Sequence, residues 1–257
     1  MKRPLRTLLI VFGVVITAGG ILLAAWVGII LLSSHDVRAE KTFQLTSNDL
    51  VIDADNGGVT IEPGASGVIE VRRKVTDSID GPDPTWSLEG NRLKLRLHCS
   101  TFFGFSCDGS YAIKVPLGLP LTVATDDGGV NVSGLRQNMK ITTDNGHIDI
   151  SDSVGDLTMR TDNGGIDVTR TTANTVKATT DNGGVRLRFD NSPTAVDART
   201  DNGGVKITVP DDGTDYEVGV KTGNGGKDVG LDNVRGSTHK ITVQTDNGGV
   251  SIQRTAR

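Results

Sequence analysis

Apolar and polar residues alternate with a period of two along most of the chain after residue 42. Leu157-x-Met159 and Ile166-x-Val168 show the pattern on the two sides of one short turn. Such alternation is typical of strands that bury one face. No segment beyond residue 34 keeps a helical period, so the sequence predicts an all-β fold.

One turn sequence recurs between these strands. TDNGG stands at residues 161, 180, 200 and 245, and variants begin at residues 54, 125, 143 and 222. From residue 125 onward, the turns follow one another every 18–23 residues. This near-periodicity predicts a β-solenoid in which each repeat of about 18–23 residues forms one coil. The residues assigned to its structural turns are Asn56, Gly57, Asn145, Gly146, Asn163, Gly164, Asn182, Gly183, Asn202, Gly203, Asn247 and Gly248.

An antiparallel meander is the alternative, because Asn-Gly between strands is also a strong hairpin signal. A meander uses turns at both ends of its sheet, whereas here one turn type recurs once per repeat and the other connections differ. Stacked coils also explain why the corners are so alike. Asparagines can form an amide ladder, glycine offers positive φ and close backbone approach, and threonine can bond its hydroxyl to the next coil.

The first 34 residues differ from the rest of the chain. Three basic residues come first, and no Asp, Glu, Lys or Arg occurs between Arg6 and Asp36. A helix of this run can cross about 30 Å of hydrocarbon, and the run is longer than the roughly 7–15 apolar residues of a signal peptide. The positive-inside rule places the N-terminus in the cytoplasm.

We therefore expect a single-pass protein of the cell membrane whose C-terminal domain is extracytoplasmic. Cleavage after Ala39 stays open, because Val37-Arg38-Ala39 resembles a cleavage site. The predicted parts are a cytoplasmic basic tail (1–6), one N-terminal transmembrane helix (7–34), a linker (35–42), an irregular β half with a disulfide loop (43–120) and a repetitive β-solenoid half (121–257).

Two cysteines, Cys99 and Cys107, lie in the sequence HCSTFFGFSCDG. In an exported segment such a pair predicts a disulfide. A metal site that also uses His98 is the alternative, although three ligands at this spacing match no common zinc pattern.

Charge and acidic residues bear on possible ligands. The formal net charge of −4 does not favour nonspecific binding of nucleic acid. Stacking would align one aspartate per corner, and their repulsion could recruit calcium, although aspartate also favours turns for local reasons. The candidate metal ligands are Asp144, Asp162, Asp181, Asp201 and Asp246. No other cofactor is indicated.

Catalytic chemistry finds little support. Glycoside hydrolases use one pair of carboxylates, whereas these aspartates recur in register with the repeat. His147 takes the second glycine position of one corner, and we interpret it as an exposed residue. The sequence therefore favours a protein without catalytic residues.

The stretches YAIKVPLGLPLTVATDDGGVNVSGL, ITTDNGHIDI and LTMRTDNGGIDV resemble a bacterial "putative adhesin" family of β-strand repeat domains of unknown function. The similarity covers most of the chain after about residue 43. It implies a β-solenoid, often membrane-anchored on the extracytoplasmic side, with no established activity. We expect a non-catalytic, adhesin-like, scaffold or sensor role at the cell envelope, with the membrane and an envelope protein or glycan as partners. A calcium-stabilised spacer and a carbohydrate-active enzyme are the alternatives.

Overall fold

The structure, a computed structural model, describes residues 35–77, 83–98 and 109–255. Within these ranges every helix-or-strand element is a β-strand, which confirms the all-β prediction. The first strands are β1 (His35–Gln44), β2 (Leu50–Asn56), β3 (Gly58–Pro63), β4 (Val68–Asp77), β5 (Asp83–Glu89), β6 (Arg92–His98) and β7 (Gly109–Val115). The strands of the repetitive half are β8 (Leu121–Asp127), β9 (Val130–Ser133), β10 (Met139–Asn145), β11 (Ile148–Ser151), β12 (Leu157–Asn163), β13 (Ile166–Thr171), β14 (Thr175–Asn182), β15 (Val185–Phe189), β16 (Ala195–Asn202), β17 (Val205–Val209), β18 (Glu217–Asn224), β19 (Lys227–Val229), β20 (Lys240–Asn247) and β21 (Val250–Arg254).

Each Asn-Gly corner joins two strands that belong to different sheets. At the corner after Asn163, β12 lies in a 10-stranded sheet and β13 in an 11-stranded sheet. Neighbouring coils pair in parallel and in register, so that Asn163 lies between Asn145 and Asn182. A hairpin would pair the two strands beside one turn with each other, so the meander alternative is wrong. The β-solenoid prediction is confirmed.

The period of two decides which side chains fill the space between the sheets. In β12, Leu157, Met159 and Thr161 are buried while the residues between them are exposed. In β13, Ile166 and Val168 face them from the other sheet. Fully burying one such aliphatic side chain contributes roughly 1.5–3 kcal/mol. The core therefore grows by a few apolar side chains with each coil.

One hydrophobic cluster runs through both halves of the chain, from Phe43 to Ile252. The boundary placed near residue 120 is not a break in the stack, because β8 pairs with β2 on one side and with β10 on the other. The irregular and repetitive halves therefore share one core.

The order of coils in space departs from the order in the sequence at both ends. The coil of β6 and β7 lies outside the coil of β2 and β3, and the coil of β18 and β19 lies outside the coil of β20 and β21. At one end, the coil of β2 and β3, which comes earlier in the chain than β6 and β7, lies between that coil and the central stack. At the other end, the coil of β20 and β21, which comes later than β18 and β19, lies between that coil and the central stack. At the end with β18 and β19, the corner at Asn224 stacks on the corner at Asn247 in the same way as that corner stacks on the corner at Asn202.

Residues 35–42 are not a linker. They form most of β1, which pairs antiparallel with β4 over its whole length, from His35 beside Asp77 to Gln44 beside Val68. Its charged residues suit an edge strand, since within the described residues no strand lies on the other side of its backbone.

Two other expectations fall on parts of the chain outside the described residues. These are the transmembrane helix over residues 7–34 and the disulfide between Cys99 and Cys107. Among the described residues, no helix is long and apolar enough to cross a membrane.

Candidate functional site

The asparagines of the corners form a continuous amide ladder on the outside of the stack. Asn163 donates from Nδ2 to Oδ1 of Asn145 over 2.9 Å, and Asn182 donates in turn to Asn163 over 3.0 Å. Each amide is thus both donor and acceptor, which is the arrangement of stacked cross-β asparagines. The ladder begins at Asp127 and continues through Asn145, Asn163, Asn182, Asn202 and Asn247 to Asn224.

The first glycine of each corner is required by the approach of the neighbouring backbone. A Cβ atom on Gly183 would overlap the carbonyl oxygen of Gly164, and a Cβ on Gly203 would overlap that of Gly183. Left-handed backbone is not the general reason for glycine here, because these corner glycines do not have a φ in that region. The corner glycines Gly57 (φ +103°), Gly128 (φ +155°) and Gly225 (φ +159°) are exceptions with a positive φ. Of the two reasons for glycine that the sequence offered, close backbone approach applies at every corner and positive φ at some of them.

Threonine closes the corner from the inside. The Thr180 hydroxyl donates to the Gly164 carbonyl oxygen over 2.7 Å, and the Thr200 hydroxyl donates to that of Gly183 over 2.7 Å. Both threonines are buried. A buried hydroxyl without such an acceptor would be costly. The bond from one coil to the next, expected from the sequence, is present.

An open groove of about 880 Å³ follows this corner column on the side of the 11-stranded sheet. Its floor is the second glycine of successive corners, which has no side chain to fill it. These glycines are Gly165, Gly184, Gly204, Gly249 and Gly226. Because the corners stack about 4.8 Å apart, the groove is straight and runs along the solenoid axis.

A row of charged side chains forms the wall of the groove. Strand register places the wall residues side by side in the order Asp167, Arg186, Lys206, the uncharged Ser251 and Asp228. Arg186 donates from Nη1 to both carboxylate oxygens of Asp167, each over 2.9 Å. Arg186 and Lys206 are exposed and give the middle of the wall a positive charge. The groove is therefore polar and carries both signs of charge.

His147 lies at one end of the groove. Its Nε2 atom is 3.5 Å from Oδ1 of Asp149 and 3.4 Å from Oδ2 of Asp167. Among the described residues, this is the group of three whose possible metal-ligating atoms converge. His147 is exposed as expected, but the sequence analysis gave it no partner.

The predicted corner aspartates lie on the other side of the Asn ladder, on the 10-stranded sheet. Arg160 contacts two of them, Asp162 at 2.7 Å and Asp181 at 3.3 Å. Partial burial raises the pKa of Asp126, and the neighbouring carboxylates of Asp55 and Asp144 raise it further. None of the candidates Asp144, Asp162, Asp181, Asp201 and Asp246 belongs to the converging group around His147.

These features define a parallel β-solenoid of two sheets with an Asn-Gly corner on one edge. The family model Toastrack DUF4097 matches residues 106–253, more than half of the chain. The chain therefore belongs to the Toastrack DUF4097 family, and the resemblance to an adhesin-like family of β-repeats is confirmed.

Two solved structures are similar to this chain, and the one with a TM-score above 0.5 shares its fold. A crystal structure of a "putative adhesin" from Bacteroides fragilis NCTC 9343 has a TM-score of 0.55 and 15% sequence identity, over 85% of this chain and 97% of that one. A "putative adhesin" from Parabacteroides distasonis ATCC 8503 has a TM-score of 0.45 and 12% identity, over 85% and 97% of the two chains. No curated protein matches the sequence significantly.

Proposed function

We propose that this protein is a non-catalytic, adhesin-like interaction module of the bacterial cell envelope, which holds an elongated polar partner, a glycan or a protein segment, along the corner groove. The observation that carries the proposal is the groove itself: a straight floor of glycines beside a row of charged side chains. A rigid solenoid offers an extended surface of this kind. The name of the Bacteroides structure, a "putative adhesin", agrees with such a role.

The chemistry of the groove supports binding over catalysis. A glycoside hydrolase needs one carboxyl group that stays protonated to act as an acid. The carboxyl group of Asp126, whose pKa is raised by partial burial and by neighbouring carboxylates, lies outside the groove. In the groove, the carboxylate of Asp167 is held by Arg186. Charged side chains such as those in the wall of the groove increase the specificity and the rate of association with a partner.

The place of β1 supports the membrane anchor that we propose for residues 7–34. β1, whose first described residue is His35, is the edge strand at one end of the 11-stranded sheet. A helix that ended at residue 34 would therefore connect to the solenoid without a flexible linker. The end that carries β1 would lie next to the membrane, and the coil of β18 and β19 would point away from it.

A retention assay with residues 35–257 tests the interaction. This segment contains the whole of β1, whereas a segment that began at residue 40 would lack the first half of that strand. We expect the immobilised segment to retain specific envelope material. The double substitution Arg186→Glu/Lys206→Glu reverses the charge of the groove wall and should reduce that retention at least about tenfold, since rim charges mainly change association.

A matched control reverses two exposed lysines on the outer face of the 10-stranded sheet, Lys140→Glu/Lys177→Glu. It changes the net charge in the same direction by the same amount and should leave retention unchanged. Equal losses in both variants would show a nonspecific charge effect and end the groove proposal. Turnover of a glycan panel by the wild-type segment would instead favour an enzyme.

A further inference from the structure

His147, Asp149 and Asp167 bring three ligand atoms of metal-binding type together from two adjacent coils. His147 and Asp149 lie on one coil, and Asp167 lies beside Asp149 on the next, in parallel register. We propose that these three side chains form a site for a single divalent transition-metal ion, of which Zn²⁺ is the representative. This site is separate from the corner aspartates considered as calcium ligands, and it does not depend on the proposed interaction role.

The separations of the atoms fit a metal ion better than a direct ion pair. A tetrahedral ion with bonds of about 2.1 Å separates its ligand atoms by about 3.4 Å. Nε2 of His147 lies 3.5 Å and 3.4 Å from the two carboxylate oxygens. A charge-assisted N–H···O bond is shorter, about 2.7–2.9 Å. All three ligand atoms lie within 4.8 Å of one another, so a small movement of the aspartates completes the geometry.

The neighbouring corner provides the space for the imidazole. A Cβ atom on Gly165 would lie 2.6 Å from Cε1 and 2.8 Å from Nδ1 of His147. The ring thus occupies the space of an absent side chain, which fixes it above the next coil with Nε2 toward the carboxylates. His147 occupies the position that is the second glycine in four other corners: Gly165, Gly184, Gly204 and Gly249.

The two carboxylates give the site a negative charge that a cation offsets. Asp149 and Asp167 are directly paired on adjacent strands, where like charges destabilise each other. Arg186 binds Asp167 through both oxygens. A carboxylate has lone pairs for further partners, so Arg186 can stay as an outer partner that orients Asp167, as such partners do around metal ligands.

The donor set selects the kind of ion. One imidazole nitrogen suits zinc and other late divalent metals better than calcium, which prefers oxygen ligands alone. Three protein ligands leave a fourth position of a tetrahedral ion for water or an exogenous ligand. Because His147 lines the groove, that position opens toward it.

Metal titration of the full-length protein tests the site. The protein is stripped with a chelator and titrated with Zn²⁺ against a chromogenic indicator, and Co²⁺ is used to record visible absorption. We expect one equivalent of Zn²⁺ per chain, with the Co²⁺ bands of a tetrahedral nitrogen–oxygen site. Both signals should be lost in His147→Gly, which restores the residue of the other corners and so keeps the fold.

Further variants separate this site from other ligands. Asp149→Asn should also fail to bind the one equivalent of Zn²⁺. Asp201→Asn, which changes a corner aspartate on the other sheet, should still bind it. A Cys99→Ser/Cys107→Ser protein should bind as the wild type does. The proposal is overturned if the wild type binds no stoichiometric metal, if His147→Gly still binds it, or if the cysteine variant loses it.

Discussion

The two ends of the solenoid are closed in different ways. At the end that contains β1, antiparallel strands cover the outermost coil: β4 pairs with β7, and β5 pairs with β6. Arg73 of β4 lies over the ring of Trp86 of β5, 4.3 Å from its centroid, and so joins the two sheets. At the other end, β18 and β19 are the outer strands, with no further strand beyond them in the described ranges.

The open end is protected by its own residues instead. Val218 and Val220 of β18 are only half-buried. Lys227 stands where the next coil has Val250, and its Nζ donates to the carbonyl oxygen of Val220 over 3.1 Å. Lysine on an edge strand discourages pairing with another chain. A parallel stack can therefore be ended either by reversing the strand direction or by placing a charge in the last coil.

The largest difference between the ends should come from the first corner glycine. Gly57→Ala places a Cβ against the Gly109 carbonyl oxygen and forces alanine to a φ of +103°. Gly109 begins β7, which β4 holds in place, so we expect a loss of about 4 kcal/mol or more in unfolding free energy. Gly225→Ala meets the carbonyl of Gly248, but the outermost coil can move away, so about 1–2 kcal/mol should be lost.

Chemical denaturation of the two variants measures this difference. Gly226→Ala is the control, because its Cβ meets no atom within 4 Å, and it should be close to wild type. Equal losses at Gly57 and Gly225 would mean that the open end is as constrained as the covered one.

Local features of this fold could be predicted because each depends on a few neighbouring residues. The alternation around Asn163 predicts two strands, and the repeat predicts that Asn163 and Asn182 stack. The exchanged order of the last coils could not be predicted, since the corners at Asn224 and Asn247 offer equivalent hydrogen bonds. One signal was present in the sequence: Lys227 stands at an inward position, and an unpaired ammonium is too costly to bury in a central coil.

The group around His147 was also within reach of the sequence. Asp149 and Asp167 are one repeat of 18 residues apart, so register alone makes them neighbours. What the sequence does not give is the direction of the imidazole, which depends on the space above Gly165. Similarly, β1 was missed because its many charged residues hide the alternation that ends at Phe43.

A second test compares the regular stack with the coil where it begins. Thr180→Val removes the hydroxyl that donates to Gly164 and should cost about 1–3 kcal/mol, since that carbonyl loses its partner. The hydroxyl of Thr125 is buried without a hydrogen-bond partner, so Thr125→Val should be neutral or stabilising. Both variants carry the same threonine-to-valine change, and equilibrium unfolding measures the change in unfolding free energy of each. A loss at Thr125 equal to that at Thr180 would contradict this assignment.

The Asn ladder should also be weaker at its open end. Asn182 donates one ladder bond and accepts another, whereas Asn224, at the end of the ladder, donates to Asn247. At about 0.5–1.5 kcal/mol for each bond, Asn182→Ala should destabilise the protein about twice as much as Asn224→Ala in thermal unfolding. Asn131→Ala, at an exposed strand position outside the ladder, serves as the control. Identical shifts at Asn182 and Asn224 would speak against a ladder that ends there.

Lys227 should matter for association more than for stability. Lys227→Val removes the charge and leaves the backbone of the open end accessible, so we expect concentration-dependent self-association in sedimentation velocity. The unfolding free energy at low concentration should change by only about 0.5 kcal/mol, as for other exposed positions. Lys177→Val makes the same chemical change on a sheet face and should not associate. A Lys227→Val protein that sediments as wild type would show that something else protects this end.

The last comparison concerns ion pairs between coils at the two ends. At the covered end, Asp53 of β2 accepts hydrogen bonds from Arg96 over 2.9 Å and from Arg92 over 3.0 Å. Hydrogen bonding by Arg96, with a further contribution from Arg92, lowers the pKa of Asp53. At the open end, Glu217 and Lys240 are 3.6 Å apart and more exposed. Solvent screening should make this second pair nearly neutral in stability.

The lowered pKa of Asp53 fixes the sign of the pH dependence. Its stabilisation is present above the unfolded-state pKa of about 3.9 and is lost as the pH falls through the folded-state value. Asp53→Asn should therefore reduce the unfolding free energy at pH 7 by about 1 kcal/mol, and wild type and variant should converge on acidification. Glu217→Gln should change the unfolding free energy by less than Asp53→Asn does at pH 7, and should also have little effect in acid. A gap between wild type and Asp53→Asn that persists or widens in acid would show that packing, and not charge, holds these two coils together.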